Sequence, residues 1–145
     1  MTEPAQSAEC VAGFTGTREG MTVDQAVTVE AILSDWKVVE VHHGDCVGAD
    51  ADFDRIARQK GAVVIVHPPE DPKLRAYCTT AVEYPERPYL ARNRDIVDCS
   101  ELLIATPKET TGATKGGTWY TVKYARKQGR GVIIVWPDGS TLIDG

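Results

Sequence analysis

The sequence predicts an α/β fold: a doubly wound, three-layer sandwich on a mainly parallel sheet of at least five strands. Three observations predict it. Short apolar runs alternate with helix-period stretches along the whole 145-residue chain. The run Ala62-Val63-Val64-Ile65-Val66 is apolar at every position, the pattern of a strand covered on both faces of a parallel sheet. Glycine-bearing loops follow three of the strands, at Gly13–Gly20, Gly44–Asp50 and Thr106–Thr118. Strands joined by crossover helices must run parallel, so their C-terminal ends, and these loops, share one edge.

Cys10 to Phe14 reads as the first strand, and the loop Thr15-Gly16-Thr17-Arg18-Glu19-Gly20 leads to Thr22, a good N-cap for a helix running to about Trp36. Within that helix Val23, Ala26, Val27, Glu30, Ala31 and Leu33 give the expected stripe. Val38 to His42 is the second strand. Asp50 is expected to cap a second helix whose Phe53, Ile56 and Ala57 face inward and which ends at Gly61. After the third strand, His67-Pro68-Pro69 opens a long irregular segment reaching Pro88, of the kind that is either functional or disordered. Tyr89 to Asp98 is helical, Leu102 to Ala105 a fourth strand, and Trp119 to Gln128 the last long helix, closed by Gly129. Gly131 to Trp136 is the fifth strand. Pro137-Asp138-Gly139 is a turn, and the last residues of the chain form a short tail or an edge strand.

Composition bounds the function. With 42% hydrophobic and 26% charged residues, the chain is expected to hold one domain over residues 10–145 behind a flexible tail, residues 1–9. The four cysteines, Cys10, Cys46, Cys78 and Cys99, form no C-x-x-C pair, so reduced thiols are expected and no zinc knuckle is read. No apolar run approaches the roughly 18 residues of a membrane span. Met1 to Glu9 lacks the basic and apolar parts of a signal peptide, which makes the cytoplasm the expected compartment. A formal charge of -5 argues against duplex nucleic acid, whose binding is driven by lysine and arginine releasing counterions. A small anionic ligand is compatible with that charge. Arg87 to Arg94, with Lys115, Lys123, Arg126, Lys127 and Arg130, forms a local basic concentration suited to a pocket.

The loop entering the last helix, Lys115-Gly116-Gly117-Thr118, points backbone N–H groups and the positive helix end at its ligand, which favours phosphate or carboxylate. Neither G-x-G-x-x-G nor G-x-x-x-x-G-K-[ST] occurs, so dinucleotide and P-loop assignments are disfavoured. Candidate ligand residues are Gly16, Thr17 and Arg18 in the first loop, and Gly44, Asp45, Gly48 and Asp50 in the second. Arg92 and Asn93 join them from the third helix, and Lys115, Gly116, Gly117 and Thr118 from the last loop. Each has a plainer alternative. Arg18 clamps a phosphate or solvates its loop. Asp50 caps its helix, and Asp45 contacts a ribose or stabilises a turn. Arg92 and Arg94 lie two apart on a helix, so at most one of them enters the pocket. Trp119 stacks on a base or packs between helix and sheet. His42 and His43 alternate to opposite sheet faces and show no acidic or cysteine partner at metal spacing, so no metal site is read. Tyr84, Arg87 and Tyr89 form a lid or a subunit contact.

Gly13-Phe14-Thr15-Gly16-Thr17-Arg18, His43-Gly44-Asp45-Cys46-Val47-Gly48-Ala49-Asp50, Arg92-Asn93-Arg94-Asp95-Ile96 and Gly116-Gly117-Thr118-Trp119, in this order, resemble the SLOG superfamily. This Rossmann-like group includes the DNA-processing protein DprA and the LOG enzymes, and the small stand-alone YspA/YpsA-like branch is the most similar. The resemblance runs from Val11 to Trp136. It implies a Rossmann-like fold and binding of nucleotides or nucleotide-derived signals, with some members cleaving N-glycosidic bonds and others acting in phage and bacterial conflict. It also implies dimerisation, for which the helices bearing Arg92 and Trp119 are the expected surface. LOG enzymes use an arginine on the helix before the fourth strand, a role open to Arg92 or Arg94, and a glutamate just after a G-G-x-G-T motif. Here Tyr120 and Thr121 stand at the acidic positions. Positive charge building on the sugar would lack its carboxylate unless Asp45, Asp50 or Glu19 supplied one.

The expected function is therefore binding of a nucleotide or nucleotide-derived small molecule, as a sensor or sequestering protein with no resident cofactor. Phosphate would lie on Gly16 to Arg18 and Lys115 to Thr118, and ribose against Asp45 to Asp50. The enzymatic alternative is an N-glycosidase or phosphoribohydrolase with catalytic candidates Arg92, Arg94 and Asp45; a pocket carboxylate of raised pKa would favour it. DprA-like binding of single-stranded DNA is the third reading, and it predicts a basic stripe with exposed aromatics.

Overall fold

The computed structural model describes residues 9–80, 82–110 and 116–144. It contains seven strands, β1 (Cys10–Gly16), β2 (Val38–His43), β3 (Val63–Val66), β4 (Val82–Glu83), β5 (Leu102–Thr106), β6 (Gly131–Val135) and β7 (Thr141–Asp144). Four α-helices accompany them, α1 (Val23–Asp35), α2 (Ala49–Gln59), α3 (Tyr89–Asp98) and α4 (Gly117–Lys127). The strands form one sheet in the order β4-β3-β2-β1-β5-β6-β7. All neighbours are parallel except β6 and β7. The strand order reverses beside β1, which pairs with β2 on one side and β5 on the other. That arrangement is the doubly wound, Rossmann-like sandwich, with its crevice at the ends of β1 and β5.

Two edge strands enlarge the expected sheet. β4 arises inside the segment read as irregular, where Tyr84 N–H also donates to the Val66 carbonyl at 2.9 Å. Two residues are too few to show a period, which is why the sequence pattern passes over it. β7 resolves the choice between tail and strand, pairing antiparallel with β6 after the Pro137-Asp138-Gly139 turn.

The helices divide between the faces as right-handed crossovers require. On one side Val29, Ile32 and Leu33 of α1 and Phe53 and Ala57 of α2 cover β1, β2 and β3, and the Phe14 and Phe53 rings stack at 4.2 Å. On the other, Val97 of α3 and Trp119, Val122 and Ala125 of α4 cover β5 and β6. Removing these side chains from water supplies the main stabilisation, about 1.5–3 kcal/mol for each large aliphatic or aromatic group.

α1 starts as expected, with a capping box: Gln25 N–H donates to Thr22 Oγ1 at 3.0 Å, and Thr22 N–H donates to Gln25 Oε1 at 2.9 Å. Its inward face differs from the expected stripe. Val23 and Val27 are exposed, whereas Gln25, Val29, Ile32 and Leu33 are buried. The cap turns Gln25 inward, where its Nε2 donates to the carbonyls of Pro107 at 2.8 Å and Val135 at 3.0 Å. Alongside, Thr22 Oγ1 and Thr28 Oγ1 donate to the carbonyls of Pro137 and Gly139 at 2.7 and 2.8 Å.

The cap of α2 is a second correction. Gly48 occupies the N-cap and Asp50 lies inside the first turn. Gly48 has φ of 96°, and a Cβ there would strike the Arg18 backbone, so only glycine lets the first two loops close on each other. The Ala49 N–H donates to the Thr17 carbonyl across this contact at 2.9 Å.

Candidate functional site

The ends of β1 and β5 open into a cleft of about 480 Å3, lined by Gly16, Thr17, Arg18 and Glu19 of the first loop, Tyr89 at the start of α3, Lys108 and Glu109 after β5, and Gly116, Gly117, Thr118 and Trp119 at the start of α4. An inner recess adjoins it, formed by Gly44, Cys46, Asp50, Arg92 and Asn93, with Gly16, Arg18 and Tyr89 common to both. The convergence of three strand-end loops expected from topology thus occurs. Lys115 lies outside the described residues.

α4 opens on Gly116 with φ of 106°, and no side chain among the described residues caps it. Its first-turn N–H groups therefore carry their positive partial charge into the cleft. A Cβ on Gly117 would collide with the Tyr89 hydroxyl, so this glycine is required by the close approach of α3 to α4. Facing it, the Arg18 guanidinium sits over the Tyr89 ring at 5.8 Å and has no ion pair among the described residues. Lys108 is engaged at the rim, its Nζ donating to Glu19 Oε2 at 2.9 Å. The basic concentration expected to line the pocket instead disperses. Arg87 pairs with Asp95 at 2.7 Å, Arg126 with Asp144 at 2.8 Å, and Arg130 donates to the Val97 carbonyl at 3.4 Å.

Arg92 and Arg94 diverge as their spacing demands. Arg92 is buried, and its Nη1 donates to the carbonyls of Gly44 at 2.5 Å and His67 at 3.1 Å while Nε donates to Asn93 Oδ1 at 2.8 Å. Its guanidinium thereby ties α3 to the loop after β2 and to the residue following β3. Arg94 turns away to donate to Tyr120 Oη at 2.7 Å between α3 and α4.

Asp45 is fully buried and fully engaged. Its Oδ2 accepts from Arg75 Nε and its Oδ1 from the Cys78 N–H, each at 2.8 Å. Its φ of 53° and its N–H donated to His43 Nδ1 at 2.9 Å complete a turn-stabilising role. Through Arg75, which also pairs with Glu83 at 2.6 Å, Asp45 anchors the proline-rich segment. Asp50 keeps more freedom: among the described residues its carboxylate accepts only the Cys46 N–H, on Oδ2 at 3.2 Å. Burial pushes its carboxyl above the usual range despite the nearby His43 and Arg92.

Trp119 takes the packing role, its ring tilted against Trp136 at 6.0 Å while its Nε1 donates to Glu109 Oε1 at 3.2 Å. Tyr84 is not part of a lid over this cleft; it covers His67 at 4.2 Å on the α3 side of the sheet. Glu109 and Lys108 are the cleft residues that the sequence did not single out, because an ordinary surface loop gives no spacing signal. The same holds for Cys46 in the recess.

The two adjacent histidines do alternate between faces, but each has an acidic partner, contrary to expectation. His42 Nε2 lies 2.8 Å from Glu40 Oε2 and its Nδ1 2.9 Å from His67 Nε2. His43 Nε2 lies 2.9 Å from Asp54 Oδ1. Burial, with His42 beside it, pushes His67 down to about 3. Asp54 is held below the usual carboxylate range: its burial acts upward, but hydrogen bonds from His43 and Arg58 outweigh it. Glu40 lies two residues before His42 on β2, a local partner that the alternation argument passed over, whereas Asp54 belongs to α2 and His67 follows β3.

No protein-family model matches the chain, and no curated protein matches it. Solved structures do. A molybdenum cofactor binding protein from Rippkaea orientalis superposes with a TM-score of 0.68 at 18% identity, over 90% of this chain and 78% of that one. The molybdenum cofactor carrier protein of Chlamydomonas reinhardtii gives 0.61 at 17% identity, over 88% and 76%. DNA processing protein A of Streptococcus pneumoniae gives 0.65 at 21% identity, over 87% of this chain and 50% of that one, so the chain spans half of DprA. The shared property is the Rossmann-like fold that the four motifs implied. Among the described residues no helix is long and apolar enough to cross a membrane.

Proposed function

We propose that this chain binds a phosphate-bearing, nucleotide-derived small molecule in the crevice between β1 and β5, as a sensor or sequestering protein. One observation carries the reading: the Arg18 guanidinium, without an ion pair among the described residues, and the start of α4, capped by no described side chain, meet across a single cleft. Together they offer a phosphate a planar cationic donor and a set of aligned backbone N–H groups. The cleft volume of about 480 Å3 falls within the usual range for small-molecule sites. Thr17 and Thr118 add hydroxyls at its edge. With Asp45 engaged by Arg75, the ribose contact passes to the recess and to Asp50. Two of the fold neighbours are named for the molybdenum cofactor, which therefore joins the candidate ligands.

N-glycosidic bond hydrolysis is the second reading. Asp50, buried and raised, and the cleft carboxylates of Glu19 and Glu109 would provide the acid that the α4 sequence lacks. Single-stranded DNA binding has less support, because Arg18 and Lys108 are the only basic side chains among the described residues lining the cleft.

The test is to incubate purified protein with nucleoside monophosphates, NAD, linear and cyclic ADP-ribose and molybdopterin, then denature it and chromatograph what is released. One intact compound retained until denaturation supports the binding reading and names its ligand. Release of free base or ribose phosphate replaces it with the hydrolytic one. Passage of every compound unbound and unchanged rejects both.

A further inference from the structure

We infer that His42 Nδ1, His67 Nε2 and Cys99 Sγ form a binding site for a transition-metal dication, best matched by Zn2+, on the α3 side of the sheet and apart from the nucleotide cleft. The three donor atoms come from β2, from the residue following β3 and from the C-cap of α3, and all lie within 4.8 Å of one another. Three separate elements converging two imidazoles and a thiol make a metal-type donor set, not a local sequence accident.

The hydrogen bonds orient the set. Glu40 Oε2 accepts from His42 Nε2 at 2.8 Å, which leaves the Nδ1 lone pair directed at His67 Nε2, 2.9 Å away. A carboxylate on the outer nitrogen of an imidazole whose inner nitrogen faces other donors is the usual support of a metal-bound histidine. Without metal, one proton is shared between the facing nitrogens. A tetrahedral zinc ion with Zn–N of about 2.0–2.1 Å and Zn–S of about 2.3 Å sets N···N near 3.3 Å. The pair needs to open by only a few tenths of an ångström to admit it.

Protons and charge balance. As the metal enters, His67 takes the Nδ1–H tautomer, and the Cys99 thiol releases its proton to solvent as the metal–sulfur bond forms. The dication is then neutralised by the thiolate and by Glu40. Tyr84 Oη, 3.7 Å from Cys99 Sγ, can reorient to donate to the thiolate. Both histidines are buried, whereas Cys99 is half-buried and Tyr84 exposed, so an ion reaches the site from the Cys99 side and a water completes the fourth position. Sulfur in the set selects Zn2+ over Mg2+ or Ca2+. The other grouping, His43, Asp54 and Cys78, lacks this readiness: His43 Nδ1 accepts from the Asp45 N–H and Asp54 is paired with Arg58 at 2.7 Å.

Titration of the full chain with Co2+, followed by displacement with Zn2+, tests the site. The expected result is one equivalent bound, with tetrahedral ligand-field bands and a thiolate-to-cobalt charge-transfer band in the near ultraviolet. Cys99→Ser abolishes the charge-transfer band, Cys78→Ser leaves it intact, and Glu40→Gln weakens Zn2+ binding roughly 10- to 100-fold. No charge-transfer band in the wild type, its survival in Cys99→Ser, or its loss in a folded Cys78→Ser overturns the assignment. Should Cys99→Ser fail to fold by circular dichroism, X-ray absorption of the zinc-loaded wild type decides. Two nitrogen ligands and one sulfur uphold the site, and a shell without sulfur rejects it.

Discussion

Arg18 and Tyr89 meet at the mouth of the crevice, the guanidinium 5.8 Å from the ring centroid, so a charge that no acid among the described residues neutralises is held in place by an aromatic face. The stack restrains the side chain before a ligand arrives, which lowers the entropic cost of recruiting it. Arg18→Gln is expected to weaken the ligand found by the retention experiment about 10- to 100-fold while leaving stability within about 0.5 kcal/mol. Isothermal calorimetry and denaturant melts check the two halves separately; equal affinity for both proteins would remove Arg18 from the phosphate site.

Arg92 is expected to behave in the opposite way. Its donors satisfy the carbonyls of Gly44 and His67 and the Asn93 amide oxygen inside the recess. A lysine cannot reproduce that fork, so Arg92→Lys should cost about 2–4 kcal/mol of folding stability. Arg94→Lys, losing one bond to Tyr120, should cost less than about 1 kcal/mol. Urea denaturation of the two variants side by side settles the contrast.

Asp50 and Asp54 predict pH dependences of opposite sign. The native pKa of Asp50 is raised, so its contribution is fully favourable below the unfolded value and is lost as pH rises through the native pKa. Asp50→Asn should therefore gain stability over the wild type as pH rises, then level off. Asp54 is depressed, so its contribution is present above the unfolded value and disappears as pH falls through the native one. Asp54→Asn should be less stable at neutral pH and converge with the wild type in acid. Denaturation series between about pH 3 and pH 8 measure both curves, and parallel curves for either variant would contradict its assignment.

Thr106 Oγ1 is buried at the end of β5 without a hydrogen-bond partner among the described residues. Replacing it by the similarly shaped valine removes an unsatisfied group, and Thr106→Val is expected to raise stability by about 1 kcal/mol. A thermal melt reads this directly. Destabilisation would show that the hydroxyl has a partner, such as an ordered water at the crevice floor.

Much of this architecture is legible in the chain because it depends on local signals. Thr22 announces the start of α1, the all-apolar Ala62–Val66 announces a central strand, and the strand-helix alternation fixes the crevice. The features that the sequence hides depend on distant partners. Asp45 looks available until Arg75 arrives from the proline-rich segment, and His42 looks isolated until His67 meets it from the end of β3. Gln25 is the instructive case. Its cap role is local and predictable, but its burial follows from two carbonyls that only the folded sheet brings within reach. Arg18 is legible for the reverse reason: its loop ends a strand at the switch point, and topology alone puts it there.

The side chains that α1 extends to the far half of the sheet set how the crevice can open. Gln25, Thr22 and Thr28 grip the carbonyls of Pro107, Val135, Pro137 and Gly139, all beyond the switch point, while α1 itself packs against both β2 and β6. The two halves are thus latched across the gap, and a clamshell hinge between them would have to break every one of these bonds at once. On the proposed binding reading, ligand exchange is expected to be governed by side chains at the rim, above all the Lys108–Glu19 pair, with a rate that follows ionic strength more closely than solvent viscosity.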